Sequence, residues 1–297
     1  MSVLVVGDLA VVVSSTVPRL ARAGENFLLP DPQVHASGVG ANLAWDLRGL
    51  GVESAVAGAV GRDGLGDYVL AELTGRGVGV GHVARSDAPT GVFLILVDPA
   101  GERTMIGYRG AAERFPLDPS LVERAAVDWV HISGYTLLDP AMESRCEELV
   151  DAAESRAIPC SVDLEGIAQS GRRTSLDRVS AFCNLDEYRR YYGHHRVVPM
   201  DRTAPLVVKA ADQGCFLVEG ETVTACPPLP ARAVDSTGAG DAFNAGFIAA
   251  KLLGRDDLGA CAWGNAAARM KVEVPGPRAE LSVEAISRLV ENGSPGS

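Results

Sequence analysis

Between Ala233 and Asn244 the chain reads Ala-Val-Asp-Ser-Thr-Gly-Ala-Gly-Asp-Ala-Phe-Asn, small residues interrupted by the carboxylates of Asp235 and Asp241. Small residues ahead of a helical stretch leave successive backbone N–H groups at the helix mouth, where they and the positive end of the helix dipole attract an anion. A carboxylate at that mouth, here Asp241, is placed to take a proton from a hydroxyl while a phosphoryl group moves onto it. Asp is also a good helix N-cap, and local spacing alone does not separate the two roles. A second run, Ser37-Gly38-Val39-Gly40-Ala41-Asn42-Leu43-Ala44, combines glycines that permit close backbone approach with an amide, Asn42, that either bonds a ligand hydroxyl or caps a helix.

The elements that must position these residues alternate. Val3 to Val6 reads as a buried strand ended by Gly7 and Asp8, followed by an irregular polar stretch from Ser14 to Ser37 and a helix from Gly40 to Leu50. Ser54 to Val60 is extended, Gly61 to Gly64 a turn, and Tyr68 to Leu73 helical. The runs Gly91–Val97 and Arg103–Tyr108, around the turn Asp98-Pro99-Ala100-Gly101, predict a hairpin that forms a small sheet over the main body. Strands at Trp129–Ser133, Pro159–Val162 and Leu206–Lys209 follow, with a helix from Ala141 to Arg156. Short extended runs flank Gly220, the last third is helical, with a helix expected to start near Asp241, and the tail from Asn292 to Ser297 is expected to fray. Such β-α alternation predicts an α/β fold with a parallel sheet covered by helices.

Composition narrows the function. The 297 residues are 47% apolar, enough for a large core. Lys and Arg number 27 against 38 Asp and Glu, a net charge of −11, which argues against nucleic acid as a partner and leaves an anionic ligand to be held by something other than surface cations. No apolar run approaches the ~20 residues of a bilayer span, and no signal peptide is evident, so the expectation is no membrane partner and a cytoplasmic protein. Cys146, Cys160, Cys183, Cys215, Cys226 and Cys261 are widely spaced and read as reduced, buried thiols. Neither a P-loop nor a dinucleotide-binding glycine motif is present.

Asp235-Ser236-Thr237-Gly238-Ala239-Gly240-Asp241-Ala242-Phe243 resembles the D-T-x-G-A-G-D-x-F signature of ribokinase-like, or PfkB-type, carbohydrate and nucleoside kinases. Residues 37–44 resemble the family's G-G-x-G-x-N-x-A, Gly61-Arg62-Asp63-Gly64-Leu65-Gly66 its G-x-D-x-x-G turn, and Asn184-Leu185-Asp186-Glu187 its N-x-x-E. The four stand in the family's order and span nearly the whole chain. The resemblance implies a three-layer α/β/α fold with a central, mainly parallel sheet and a small β-sheet lid. Residues 1–297 would form one kinase domain, with lid segments near 12–36 and 91–109.

It further implies ATP and Mg²⁺ as cofactors, with a monovalent cation such as K⁺ in members that need one. Phosphoryl transfer would go to a hydroxymethyl group of a sugar or sugar-like molecule. Asp241 would be the base, and Gly238, Ala239 and Gly240 the anion hole. Asp8, Gly38, Asn42 and Arg109 would serve the substrate; Asn184, Lys209, Gly214 and Asn265 the nucleotide; Glu187 and Asn184 the Mg²⁺; and Asp235 the monovalent cation. Other readings of single residues stay open: an exposed hairpin-end Arg109, a loop Asn184, a surface Glu187, a helix-packing Asn265. The lid often doubles as a homodimer contact in this family.

Departures from the family pattern affect the substrate. Where many members carry G-x-x-N-x-D, this chain has Gly7-Asp8-Leu9-Ala10-Val11-Val12, so the carboxylate that grips two sugar hydroxyls is replaced by Val12, and Asp8 is the group left to compensate. Ser37 replaces the first glycine of the double-glycine motif, Asp163-Leu164-Glu165 stands where several sugar kinases have D-P-N-x-R, and Ala211 replaces the first glycine of the nucleotide-side G-x-x-G that ends at Gly214. Val11, Val12 and His35 would make a more apolar pocket, so a nucleoside of adenosine, cytidine or pseudouridine type is an alternative to a free sugar. A regulator that binds ligand without turnover is a further alternative.

Overall fold

Val3 to Val6 lie in the interior of a sheet. In the computed structural model of the protein, which describes residues 1–100, 102–175 and 178–293, strand β1 (Ser2–Val6) is buried on both faces. Val3 and Val5 enter one apolar cluster, Leu4 and Val6 the other, as the alternation of side chains along a strand requires. Covering of both faces is why the strand reads as an unbroken apolar run.

The chain continues through β2 (Ala10–Thr16), β3 (Gln33–Ser37), α1 (Val39–Gly49), β4 (Glu53–Gly61), α2 (Gly64–Gly75), β5 (Gly79–Ser86), β6 (Gly91–Val97) and β7 (Arg103–Tyr108). Then come α3 (Leu121–Arg124), β8 (Trp129–Ser133), α4 (Pro140–Glu154), β9 (Cys160–Asp163), α5 (Glu165–Ser170), β10 (Ser180–Asn184) and α6 (Leu185–Tyr192). The last part holds β11 (Leu206–Lys209), β12 (Cys215–Glu219), β13 (Thr222–Cys226), α7 (Ala239–Leu252), α8 (Asp257–Val272) and α9 (Val283–Gly293).

Among the described residues nine strands form the large sheet, in the order β13-β12-β11-β10-β9-β8-β1-β4-β5. Every pairing from β11 to β5 is parallel, and β12 and β13 join antiparallel at one edge. Helices cover both faces, so the α/β expectation of a mainly parallel sheet holds. A separate four-stranded sheet has the order β3-β2-β6-β7. Its β6 and β7 are the predicted hairpin, with Gly101 of its turn outside the described residues.

Two expectations change. The stretch read as irregular, Ser14 to Ser37, carries the end of β2 and all of β3, which pair antiparallel with Val12 opposite His35. The frayed tail starts later than Asn292, because α9 runs to Gly293; residues 294–297 lie outside the described residues.

Parallel strands end on the same edge of a sheet, where ligands of open α/β folds bind. Asp8 follows β1, Ser133 ends β8, Asp163 ends β9, Asn184 ends β10 and Lys209 ends β11. The register sets Ser133 beside Asp163 and Asn184 beside Lys209, so these polar groups share one edge. All six cysteines are free and buried. Among the described residues no helix is long and apolar enough to cross a membrane.

Candidate active site

The helix that follows the small-residue run begins at Ala239, two residues earlier than the expected start near Asp241. Its N-cap is Gly238, at φ 77°, with no side-chain cap, so Asp241 is not the cap and lies inside the first turn. Only glycine fits at 238, since a Cβ there would lie 2.0 Å from the Pro277 carbonyl oxygen. Of the expected anion hole, the Ala239 N–H is already donated to the Ser236 carbonyl at 3.2 Å. First-turn geometry leaves the N–H groups of Gly240 and Asp241 without an intrahelical acceptor.

Asp241 Oδ2 accepts a hydrogen bond of 2.9 Å from Asn42 Nδ2. Asn42 does not cap its helix either; the cap is Gly38, and Asn42 sits inside α1, buried, with its Oδ1 accepting from the Ser37 hydroxyl at 3.1 Å. The serine that departs from the double-glycine pattern thus fixes the amide that holds Asp241. Gly38, at φ 99°, is required by the backbone rather than by a ligand: a Cβ there would meet the Asp8 carbonyl oxygen at 2.4 Å. Burial pushes the Asp241 carboxyl up to about 7, against the bond from Asn42 and the charge of Lys209. A carboxyl titrating there is suited to general base work at neutral pH.

Asp8 and Arg109 meet directly. Arg109 Nε donates to Asp8 Oδ2 at 2.7 Å and Nη2 to Asp8 Oδ1 at 2.8 Å, a two-point pair largely shielded from solvent, with the guanidinium 5.7 Å from the Tyr135 ring. Arg109 is therefore not an exposed hairpin-end residue, and Asp8 does not stand free to grip hydroxyls alone. Val11 and Val12 are buried.

At the other end of the sheet edge, Lys209 Nζ donates to Asp163 Oδ2 at 2.6 Å and to Asn244 Oδ1 at 3.4 Å, and Asn244 Nδ2 donates to Asp163 Oδ2 at 2.7 Å. Burial opposes the charge on Lys209, but Asp163 and Glu187 outweigh it and hold the ammonium above the ordinary lysine value. Lys209 lies under the anion loop, 3.3 Å from where a Cβ of Gly240 would be.

Asn184 and Glu187 form a capping box on α6. Asn184 Oδ1 accepts from the N–H groups of Asp186 and Glu187 at 2.9 Å each, and Glu187 Oε2 accepts from Asn184 N at 2.7 Å. Burial and the nearby Asp163 push Glu187 up to about 7, and burial with Asp163 and Asp241 raises Glu165 well above the carboxylate range. Among the described residues no cluster of three His, Cys, Asp or Glu has the geometry of a metal cage. The surplus of carboxylates over cations fits a hydrated Mg²⁺ shared with phosphates, which takes few direct protein ligands.

The remaining expected contacts are used internally. Asn265 Nδ2 donates to the Pro227 carbonyl at 3.0 Å and the Cys226 carbonyl at 3.3 Å, tying α8 to the segment after β13. Gly214, at φ 80°, lets the β11–β12 turn approach Cys226, whose carbonyl oxygen would sit 2.2 Å from a Cβ. Asp235 uses both carboxylate oxygens on backbone N–H groups, from Thr237 at 2.8 Å and Gly276 at 2.9 Å. Where a monovalent cation was expected beside Asp235, the Lys271 ammonium stands, donating to the Asp235 and Val274 carbonyls at 3.0 Å each.

Sequence reasoning gave no role to Asp163, Glu165, Asn244 or Lys271. The signal for Lys271 is its place on the inward stripe of α8, one helical turn after buried Ala267.

The sequence profile of the pfkB family carbohydrate kinases matches residues 1–284. An uncharacterized sugar kinase of Archaeoglobus fulgidus is 27% identical over 241 residues, covering 78% of this chain and 96% of that protein. The structure of Arabidopsis thaliana ribokinase complexed with ribose and ATP superposes with a TM-score of 0.79 at 23% identity, over 97% of this chain and 98% of that one. The adenosine kinase of Sinorhizobium meliloti superposes with a TM-score of 0.78 at 21% identity, over 97% and 98% of the two chains.

Proposed function

Because the chain belongs to the pfkB family of carbohydrate kinases, we propose that it transfers the γ-phosphoryl group of ATP to a primary hydroxyl of a sugar-like molecule, with Asp241 as the base. The observation that carries this is the half-buried Asp241 carboxyl, held by Asn42 in the first turn of α7. Asp241 removes the proton of the attacking hydroxyl. The new bond forms between that oxygen and the γ-phosphorus as the bond to the bridging oxygen breaks, and ADP leaves with the electron pair. The N–H groups of Gly240 and Asp241, with Gly238 shaping the loop and Lys209 beneath it, face the charge that develops on the phosphoryl oxygens. Glu187 and Asn184 would hold Mg²⁺, which when bound would supply charge neutralisation at the nucleotide phosphates. Gly214 and Asn265 shape the nucleotide side by holding the segment at Cys226 and Pro227.

The small sheet serves as a lid over the substrate, within a single kinase domain. Asp8 and Arg109 act as one unit that orients hydroxyls, Asp8 accepting and Arg109 donating. A nucleoside is the second reading, favoured by buried Val12 where a hydroxyl-gripping Asp would otherwise stand. Edge strand β7 of the small sheet exposes Met105 (58%) on one face and Ile106 (62%) on the other. It suits a contact with a second copy of the chain, which sedimentation equilibrium tests.

The experiment is a panel of free sugars and nucleosides with ATP and Mg²⁺, read by ADP release, on the native chain and on Asp241→Asn. The expected result is one acceptor class phosphorylated by the native chain and a loss of about 10² to 10⁴ in turnover for the variant, with nucleotide affinity retained. Retained turnover in Asp241→Asn overturns the base assignment; ligand binding without ADP release from any acceptor favours the regulator.

A further inference from the structure

The sequence contains three lysines, Lys209, Lys251 and Lys271. Lys271, at the end of α8, is 0% exposed, an unusual position for a side chain that is almost always solvated. Its ammonium is not wasted in apolar surroundings. It joins the carbonyl of Asp235, which opens the loop leading into α7, to the carbonyl of Val274, in the segment after α8. Those same two segments are linked again by Asp235 Oδ2 accepting from Gly276 N and by the close approach of Gly238 to Pro277. The two segments together set where the first-turn N–H groups of α7 point.

Two carbonyl oxygens converging beside a carboxylate form a cradle for a compact cation. We propose that Lys271 is a built-in cation: its ammonium fills the cradle where the family resemblance implies a monovalent metal ion, holds the anion loop in position, and leaves this chain with no need of free K⁺. The inference rests on the kinase reading, and makes Lys271 a positioning residue rather than a catalytic one. Burial lowers the pKa of Lys271, and the Asp235 carboxylate opposes that shift, keeping the cation in place. A K⁺ ion does not fit while the ammonium is there, because both need the same carbonyl oxygens.

The test uses the full chain in KCl, NaCl or choline chloride at equal ionic strength, reading both phosphorylation rate and thermal melting midpoint. The native protein is expected to be indifferent to the choice of salt in both. Lys271→Ala opens the cradle, whose Val274 also lines a groove of about 550 Å³ with Met270, Glu273 and Arg278. This variant is expected to lose about 10²-fold in turnover in choline chloride, the scale of a misplaced transition-state contact. KCl should recover most of that loss and raise its melting midpoint, with choline doing neither. Lys271→Met, which fills the space without a charge, should be impaired in every salt.

Stimulation of the native chain by K⁺ over choline overturns the proposal, as does a Lys271→Ala chain that turns over normally in choline. Should Lys271→Ala fail to fold, the native salt comparison and Lys271→Met still decide. Should no acceptor be phosphorylated at all, the kinase reading falls, while the melting midpoints in the three salts continue to judge the cation.

Discussion

A carboxyl kept neutral by burial is easier to keep folded in acid than in base. Asp241 and Glu187 are pushed up to about 7, and Glu165 and Asp46 are raised well above the carboxylate range, each mainly by burial. In the unfolded chain these groups ionise near pH 4, so between about pH 4 and pH 7 the folded state binds more protons and stability falls as pH rises. The contribution of Asp241 is fully present below its unfolded pKa and lost by the time pH passes through about 7. Asp241→Asn removes that term. Chemical denaturation should find the variant more stable than the native chain at pH 8 by more than about 1.4 kcal/mol, the worth of one pKa unit, with the gap closing toward pH 4. A gap independent of pH would overturn the assignment. At this scale the sequence made the site legible wherever a motif had a fixed spacing: Asp241, Asn42, Gly238 and the Asn184–Glu187 pair all come to the sheet edge. It hid what depends on partners far along the chain. The Asp8–Arg109 pair, the Lys209–Asp163–Asn244 cluster and Lys271 join residues dozens of positions apart, and no local pattern records such meetings.

At the scale of elements, the turn between β11 and β12 carries a measurable strain. Ala211, exposed and at the position where the family pattern has glycine, adopts φ 50°, in the left-handed region. An alanine there costs about 1–2 kcal/mol relative to right-handed backbone, whereas glycine pays only its extra unfolded-state entropy of about 0.5–1 kcal/mol. Ala211→Gly should therefore raise the melting midpoint, by up to about 3 °C for a chain of this size, and Ala211→Val should lower it. The reverse order would show that contacts of the turn outweigh its backbone. Elements with a strong period or a clean apolar run were readable from sequence, and β6, β7, β8 and β11 fall on the expected residues. β5 and β10 were not, because His82, Arg85 and Ser180 break their apolar pattern. β2 was missed for another reason: its valines follow β1 after only Gly7, Asp8 and Leu9, and nothing local says that the chain leaves one sheet for another there.

For the molecule as a whole, the arrangement of strands explains how a chain of charge −11 can offer a phosphate site at all. Parallel strands deliver Asp163, Asn184 and Lys209 to one edge, and α7 presents uncharged backbone donors there. The donors are short-range dipoles, so they act only after contact. At longer distance an approaching nucleotide meets a body of like charge, and its encounter is hindered rather than steered. The kinetic consequence runs opposite to that for proteins that hold polyanions with surface cations. Shortening the Debye length from about 30 Å at 0.01 M salt to about 10 Å at 0.1 M should quicken ATP association. Dissociation, governed by the N–H contacts, should change little, and stopped-flow measurement of both rate constants tests it. An association rate that falls with salt would mean that cations, not backbone, draw the nucleotide in.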